Sequence, residues 1–413
     1  MGLIELCQSA KNAKADMIKL NCDDKNKALN VVADEIIANK DFILMENAKD
    51  ILAGSNSGMS VALIDRLRLS DDRIAQIAAG LRQITELPDP TGVVLETFER
   101  PNGLVIEKCS VPLGVVGIIY ESRPNVTADA FGLTFKSGNV VILKGGSDAI
   151  NSNIAITKCI KDGLKKCGIN EDVISLITDT NRETTAQFMK MNEYVDVLIP
   201  RGGKGLIKAV VENSSIPVIE TGSGNCHLYI DETADVKKAV DIALNGKTQR
   251  IGVCNALESL VVHENAVKTV LPEIAKALRD KNVQLRGDDR VVELLDCDKA
   301  TDEDYYTEYL DLIMSIKTVK NVEEAIAHIN EHSTKHSECI ITENMDNAEK
   351  FLNEVDSACV YVNASTRFTD GYEFGFGAEI GISTQMLHAR GPMGLRELTT
   401  YKYKIRGNGQ VRG

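Results

Sequence analysis

The sequence predicts an α/β protein: a helical lead-in, a hairpin, and then two successive series in which short apolar strands alternate with helices. Three observations predict it. Apolar residues recur at helical spacing over residues 3 to about 85; from residue 115 they gather into strand-length runs separated by helix-length segments; and a glycine-rich break, "ETGSGNCH", divides the first alternating series from a second. At 413 residues the chain exceeds what one hydrophobic core usually serves, so two or three domains are expected.

The lead-in contains "KNKALNVVADEIIANKDFILMENAKDILAG", rich in helix formers, with Gly54 as the expected stop. Then "GVVLETFERPNGLVIEKCSVPLGVVGIIYES" alternates apolar and polar residues around the turn signal Pro101-Asn102-Gly103, which predicts a hairpin or ribbon feeding a buried strand. The first series runs "VVGIIY", a helix through "VTADAFGLTFKSG", "NVVILKG", a helix over about 148 to 167, "VISLIT", a helix through "TTAQFMKM", "VDVLIP", a helix "GLIKAVVEN", and "PVIE". Such alternation predicts a parallel sheet with helices on both faces, Rossmann-like and of the mononucleotide-binding kind. The second series runs "LYID", a helix through "VKKAVDIALNGKTQ", the Cys254 stretch, "SLVVH", a long helix and "LDLIMSIKTV". The tail "LTTYKYKIRGNGQVRG" alternates Tyr with basic residues and reads as a strand that pairs outside its own domain.

Sixty acidic against 47 basic side chains give a net charge of −13, an average field that repels nucleic acid and anionic membranes. No nucleic-acid or membrane partner is expected. The N-terminal residues show helical spacing in place of a charged n-region and apolar h-region, and "VPLGVVGIIY" falls short of the roughly 20 residues that cross a bilayer, so a cytoplasmic protein is expected. The ten cysteines include no C-x-x-C pair, which argues against a zinc ribbon, a thioredoxin motif or a disulfide framework.

One cysteine has a distinctive setting. "QRIGVCNALESL" places Cys254 after a polar, glycine-bearing approach and before a run able to form a helix, whose N-terminal dipole would lower the thiol pKa. Arg250 precedes it by four residues and Asn255, an amide donor, follows it. "LKGGSDA" puts Lys144, Gly145, Gly146 and Ser147 between a strand and a helix, and "IPRGGKGL" repeats the arrangement at Arg201, Gly202 and Gly203. Each is either a nucleotide-binding edge or a plain βα turn; neither is a G-x-G-x-x-G fingerprint. Glu220 closes a strand at the glycine-rich break, as a base or as a hinge residue. His328, His332 and His336 are spaced by four, but Ser333-Thr334 interrupt the helix and no H-E-x-x-H is present, so a loop or surface role is expected and no metal.

Long strings of the chain, "VPLGVVGIIYESRPNVTADAFGLTFKSGNVVILKGGSDA", "VDVLIPRGGKGLI", "IETGSGNCHLYID", "GVCNALESLVV" and "VYVNASTRFTDGYEFGFGAEIGISTQMLHARGPMGLRELTTYKY", resemble the glutamate-5-semialdehyde dehydrogenase (gamma-glutamyl phosphate reductase) family of the aldehyde dehydrogenase superfamily. The resemblance implies an aldehyde dehydrogenase-like α/β fold. Residues 1–95 and 112–222 would form the NADP(H)-binding domain with its lead-in, 223–362 the catalytic domain, 363–395 a return to the cofactor domain, and 96–111 with 396–413 an oligomerisation ribbon. It also implies the reaction: NADPH-dependent reduction of L-glutamyl 5-phosphate to L-glutamate 5-semialdehyde and phosphate, in proline biosynthesis. A homo-oligomer is implied, and glutamate 5-kinase is a candidate partner.

Carried over residue by residue, Cys254 matches the nucleophile that forms a thioacyl enzyme, and Asn125 in "SRPN" the oxyanion donor, helped by the Cys254 N–H. Glu220 matches the general base of hydrolytic relatives, although hydrolysis would waste the thioester in the reductive direction. Glu308 in "TEYLD" resembles the glutamate that holds the nicotinamide ribose. NAD-linked relatives commonly carry a carboxylate three residues beyond the lysine of "VVILK"; here that place is Ser147, with Asp148 next, which favours NADP(H). Arg123, Arg250 and Arg367 are candidates for the acyl phosphate and the substrate α-carboxylate. Ser333 stands where the family usually has Gly. The rivals are a hydrolytic NAD-linked aldehyde dehydrogenase and a catalytically silent scaffold or kinase-binding protein.

Overall fold

Five helices open the chain: α1 (Leu3–Met17), α2 (Cys22–Ala38), α3 (Lys40–Asn56), α4 (Val61–Leu67) and α5 (Asp71–Glu86). The computed structural model describes residues 2–412. Asn21, Ser60 and Ser70 cap three of these helices, each side-chain oxygen accepting a first-turn N–H, and Ile74, Ile77, Leu81 and Ile84 form the buried stripe of α5. Gly54 does not stop α3 as expected. It lies buried inside the helix, where a Cβ would come within 3.0 Å of Ile64 Cδ1, and the chain leaves the helix at Gly58 with φ 78°.

The hairpin forms as β1 (Val94–Glu99) and β2 (Val105–Pro112), and the C-terminal strand Thr399–Arg406 pairs antiparallel with β2 from Thr399↔Pro112 to Arg406↔Val105. The first series then builds a four-stranded sheet from β3 (Val115–Tyr120), β4 (Val140–Gly145), β5 (Ile174–Leu176) and β6 (Val197–Arg201), in the order β5-β4-β3-β6, all parallel. Between and after these strands come α6 (Asn125–Lys136), α7 (Ile150–Lys166), α8 (Arg182–Phe188) and α9 (Lys204–Asn213). Strand order reverses at β3, so the carboxyl ends of β3 and β6 flank a topological switch point. "PVIE" makes only one parallel bridge, Leu198↔Val218, in place of the expected strand; Pro217 has no N–H to extend a ladder.

The second series builds a seven-stranded parallel sheet, β10-β9-β11-β8-β7-β12-β13, from β7 (Cys226–Ile230), β8 (Leu257–His263), β9 (Gln284–Gly287), β10 (Asp298–Lys299), β11 (Ile313–Val319), β12 (Ser337–Ile341) and β13 (Cys359–Val362). Its helices are α10 (Val236–Thr248), α11 (Leu271–Arg279), α12 (Asp289–Leu295), α13 (Asp302–Tyr306), α14 (Val322–His332) and α15 (Met345–Glu354). One core packs Leu228, Leu260, Leu271 and Ile274 together, and another packs Tyr229, Val261, Ile329 and Phe351. The expected long helix shrinks to α11, whose first turn holds Pro272. The run after Cys254 is a strand, β8, and not a helix. Every residue of Leu257–His263 is buried in the middle of the sheet, and that packing overrides a helix-compatible composition.

The chain divides into one unit of Met1–Glu220, Gly375–Gly381 and Met393–Gly413, and a second of Thr221–Phe374 and Ile382–Pro392. Residues 363–374 and 382–392 thus belong to the second unit, where the sequence reading returned them to the first. Thr366 Oγ1 donates to Asn255 O at 2.8 Å, Ser337 and Thr369 hydroxyls meet at 2.6 Å, and Gly222 N–H donates to Ile382 O at 3.1 Å. Among the described residues no helix is long and apolar enough to cross a membrane.

Candidate active site

Cys254 sits half-buried in the loop between α10 and β8. That loop leaves the C-terminal end of one helix and enters a strand, so no helix N-terminus supports the thiolate as the sequence suggested. The loop is instead held by its neighbours. A Cβ on Gly224 would lie 1.4 Å from Cys254 O, so only glycine allows the two backbones to touch. Gly224 N–H donates to Glu308 Oε1 at 2.7 Å, and the Cys226 thiol lies 3.2 Å from Cys254 O. Burial and the Glu338 charge push the Cys226 thiol well above its ordinary value, so Cys226 remains a protonated donor.

Asn255 is not an available amide donor. Its Nδ2 donates to Thr369 O at 2.9 Å and Arg367 O at 3.3 Å, and its own carbonyl accepts from Thr366. These bonds fasten the turn carrying Arg367 to the residue beside Cys254. Arg367 is half-buried, and its Nε donates to Gln249 Oε1 at 2.9 Å. Burial and the charge of Arg250 lower the Arg367 pKa, while Asp370 and Cys254 act the other way. Two guanidiniums thus share the neighbourhood of the cysteine.

A buried ion pair supports the same unit from below: Lys247 Nζ and Glu258 Oε2 lie 2.5 Å apart with both side chains fully buried, and Glu258 Oε1 accepts the Leu310 N–H two residues beyond Glu308. His328 and His332 stack on α14 at 4.0 Å. His336 is fully buried, contrary to the expected surface role, with Nδ1 3.8 Å from Cys226 Sγ, and burial lowers its pKa to about 4.

In the first unit the structure gathers the turns after β3, β4 and β6 at one sheet edge. Lys144 is buried at the end of β4, where burial lowers its pKa, and Ser147 is exposed in the turn that follows. Asp148 is engaged by Ser122 Oγ at 2.5 Å and Ser147 Oγ at 3.3 Å. The first amides of α7 are already satisfied, since Asp50 accepts from Asn151 and Ser152 N–H at 3.2 and 2.8 Å. At the second turn Glu121 accepts the Gly203 N–H at 2.9 Å, and a Cβ on Gly202 would lie 2.4 Å from that carboxylate. Arg201 closes β6, half-buried. Arg123 is exposed just before α6, Asn125 opens α6 with its Nδ2 donating to Asp129 at 2.9 Å, and Glu220 is half-buried at the end of this unit's first segment.

Sequence profiles give these sites a family context: the aldehyde dehydrogenase family profile matches residues 3–292 and 305–403. The chain belongs to the aldehyde dehydrogenase family. Within it, the chain is 60% identical to the gamma-glutamyl phosphate reductase of Lachnospira eligens over 407 residues, 98% of this chain and 97% of that one. It is 54% identical to the gamma-glutamyl phosphate reductase of Caldicellulosiruptor bescii, covering 99% of each. The crystal structure of gamma-glutamyl phosphate reductase from Thermotoga maritima superposes with TM-score 0.98 at 48% identity over 100% of both chains. An acetylating aldehyde dehydrogenase from Geobacillus thermoglucosidasius shares the fold, with TM-score 0.67 at 18% identity over 99% of this chain and 97% of that one. Aldehyde dehydrogenase membership implies a nicotinamide cofactor.

Sequence reasoning missed Gln249, Gly224 as a contact residue, and the Asn255 clamp. Gly224 stood in a glycine-rich string that could have signalled close backbone approach. Nothing in a lone Gln after a helix could mark Gln249.

Proposed function

We propose that this chain reduces L-glutamyl 5-phosphate to L-glutamate 5-semialdehyde with release of phosphate, in proline biosynthesis; the names of its gamma-glutamyl phosphate reductase relatives support reduction of that acyl phosphate. The observation that carries the reading is Arg367, half-buried on a turn hydrogen-bonded to Asn255 next to Cys254, with the charge of Arg250 acting on it. Among the described residues neither guanidinium has a carboxylate ion pair, and two cations at a nucleophile suit an acyl phosphate carrying up to two negative charges.

In this reading the Cys254 thiolate, favoured by the two arginines, attacks the acyl carbon and phosphate leaves, giving a thioacyl enzyme. NADPH, when bound, supplies the hydride that reduces the thioester. The oxyanion formed at the acyl carbon is received by the Cys254 N–H, and Asn125 is the family-matched candidate for a further donor. Collapse of the oxyanion expels Cys254 and releases the aldehyde. Glu220 has no proton to abstract in this sequence of steps.

NADPH fits the first unit's sheet edge. Ser147 stands where a carboxylate would repel a 2'-phosphate, the Asp148 carboxylate is held by the Ser122 and Ser147 hydroxyls, and Lys144, Arg201, Gly202 and Gly203 line the same edge; Gly145 and Gly146 shape its first turn. Because Asp50 occupies the α7 amides, phosphate binding at that helix start is disfavoured. Glu308, already on Gly224, is assigned to the nicotinamide ribose. The ribbon exposes Leu95, Phe98, Tyr401, Tyr403 and Ile405, a surface suited to a second copy of the chain, and the kinase that makes the labile acyl phosphate is the natural upstream enzyme.

The test runs the reaction backwards. With glutamate semialdehyde and NADP, reduction of the nicotinamide should rise from near zero to saturation as inorganic phosphate is added, and Arg123 or Arg367 substitutions should raise the phosphate or aldehyde requirement. Rapid phosphate-independent oxidation to free glutamate would overturn the reading in favour of a hydrolytic enzyme with Glu220 as its base.

A further inference from the structure

Arg367 carries its charge on a turn joined to Asn255 by three hydrogen bonds, so its backbone is fixed relative to the Cys254 loop. Its side chain is fixed separately. Nε donates to Gln249 Oε1 at 2.9 Å, and Gln249 sits at the end of α10, next to Arg250. A guanidinium binds an anion most strongly through two parallel N–H bonds. With Nε–H committed, the fork left intact is the Nη1–Nη2 end.

The acceptor is an amide oxygen and not a carboxylate, so it orients the guanidinium without itself cancelling the charge. We propose that Gln249 is a positioning residue that aims the Nη1–Nη2 edge of Arg367 at an anionic group of the substrate, phosphoryl or α-carboxylate. The inference rests on the reading of Arg367 as an anion-binding residue given above. Gln249 touches no reacting atom in this scheme and acts only through Arg367. A glutamate at this place would hold the same bond and cancel the charge; a leucine would release the guanidinium and leave the charge intact.

The experiment compares Gln249→Leu, Gln249→Glu and Arg367→Lys in the oxidative assay with inorganic phosphate, measuring kcat and both KM values, with thermal melting as a folding control. Gln249 is exposed, so melting should be unchanged. Gln249→Leu is expected to raise one KM about tenfold with kcat within about twofold, the scale of one hydrogen bond to a charged group. A shift in the phosphate KM assigns the phosphoryl group; a shift in the aldehyde KM assigns the α-carboxylate. Gln249→Glu is expected to raise the same KM at least as much, with the ratio to wild type shrinking as pH falls and the new carboxylate protonates. If Arg367→Lys shifts a KM and neither Gln249 variant does, the positioning role is overturned. If Arg367→Lys shifts neither, the anion-binding reading beneath it fails. A fall in kcat with both KM values unchanged would also overturn the proposal.

Discussion

The thiol of Cys226 lies 3.2 Å from the carbonyl oxygen of Cys254, so the first residue of β7 pins the peptide of the candidate nucleophile. The two cysteines therefore have different expected phenotypes. Cys254→Ser should fold and lose nearly all turnover, whereas Cys226→Ala should lose one anchoring bond and keep activity within about tenfold. Steady-state rates and iodoacetamide labelling followed by peptide mapping check this. Activity that survives in Cys254→Ser but not in Cys226→Ala would reverse the assignment.

Gly224→Ala should be among the most damaging single-methyl additions in the chain. The new Cβ would fall 1.4 Å from Cys254 O, against backbone that cannot rotate away. Thermal melting should show a loss on the order of 1–3 kcal/mol, as overpacking does, and turnover should drop at least as far as for Cys226→Ala. Wild-type melting and turnover together in this variant would falsify the close approach.

The Lys247–Glu258 pair is fully buried, and burial outweighs mutual attraction enough to raise the Glu258 pKa and lower that of Lys247. Glu258→Ala strands a buried ammonium and should cost about 3–5 kcal/mol by chemical denaturation. Adding Lys247→Met to Glu258→Leu should recover most of that loss. A double variant no more stable than Glu258→Ala would mean the pair contributes net stability.

Cofactor choice should turn on Ser147. The wild-type ratio of kcat/KM for NADPH over NADH is expected to exceed one, and Ser147→Glu should lower it by tenfold or more through repulsion of a 2'-phosphate. Equal or better efficiency with NADH in the unaltered protein sinks the NADP preference.

Burial holds the His336 pKa at about 4, while an unfolded histidine titrates near 6.5. A depressed pKa gives stability that is complete above the unfolded value and is lost as pH falls toward the folded one. Acidification from pH 7 to 4 should therefore cost about 3 kcal/mol from this residue. His336→Asn should show a correspondingly flatter stability profile over that window by denaturant titration. Parallel profiles for the two proteins would exclude His336 as the source.

By itself the sequence determined the alternation of strands and helices, the glycine turns at their ends and the distinctive setting of Cys254, because each depends on periodicity or on residues adjacent in the chain. It also determined that β2 continues into the buried β3. Tertiary structure decided the rest. "NALESL" is compatible with a helix until it is inserted between β7 and β11, where burial on both faces and a ladder on both sides select a strand. The amide of Asn255 looked available until residues 367 and 369 supplied carbonyls to it, more than a hundred positions away. Residues 382–392 joined the second unit through the Gly222 N–H bond to Ile382 and the Arg390–Asp356 ion pair, neither of which leaves a mark in composition. Which polar group satisfies which is settled by contacts distant in the chain, and these form only when the sheet has brought them together.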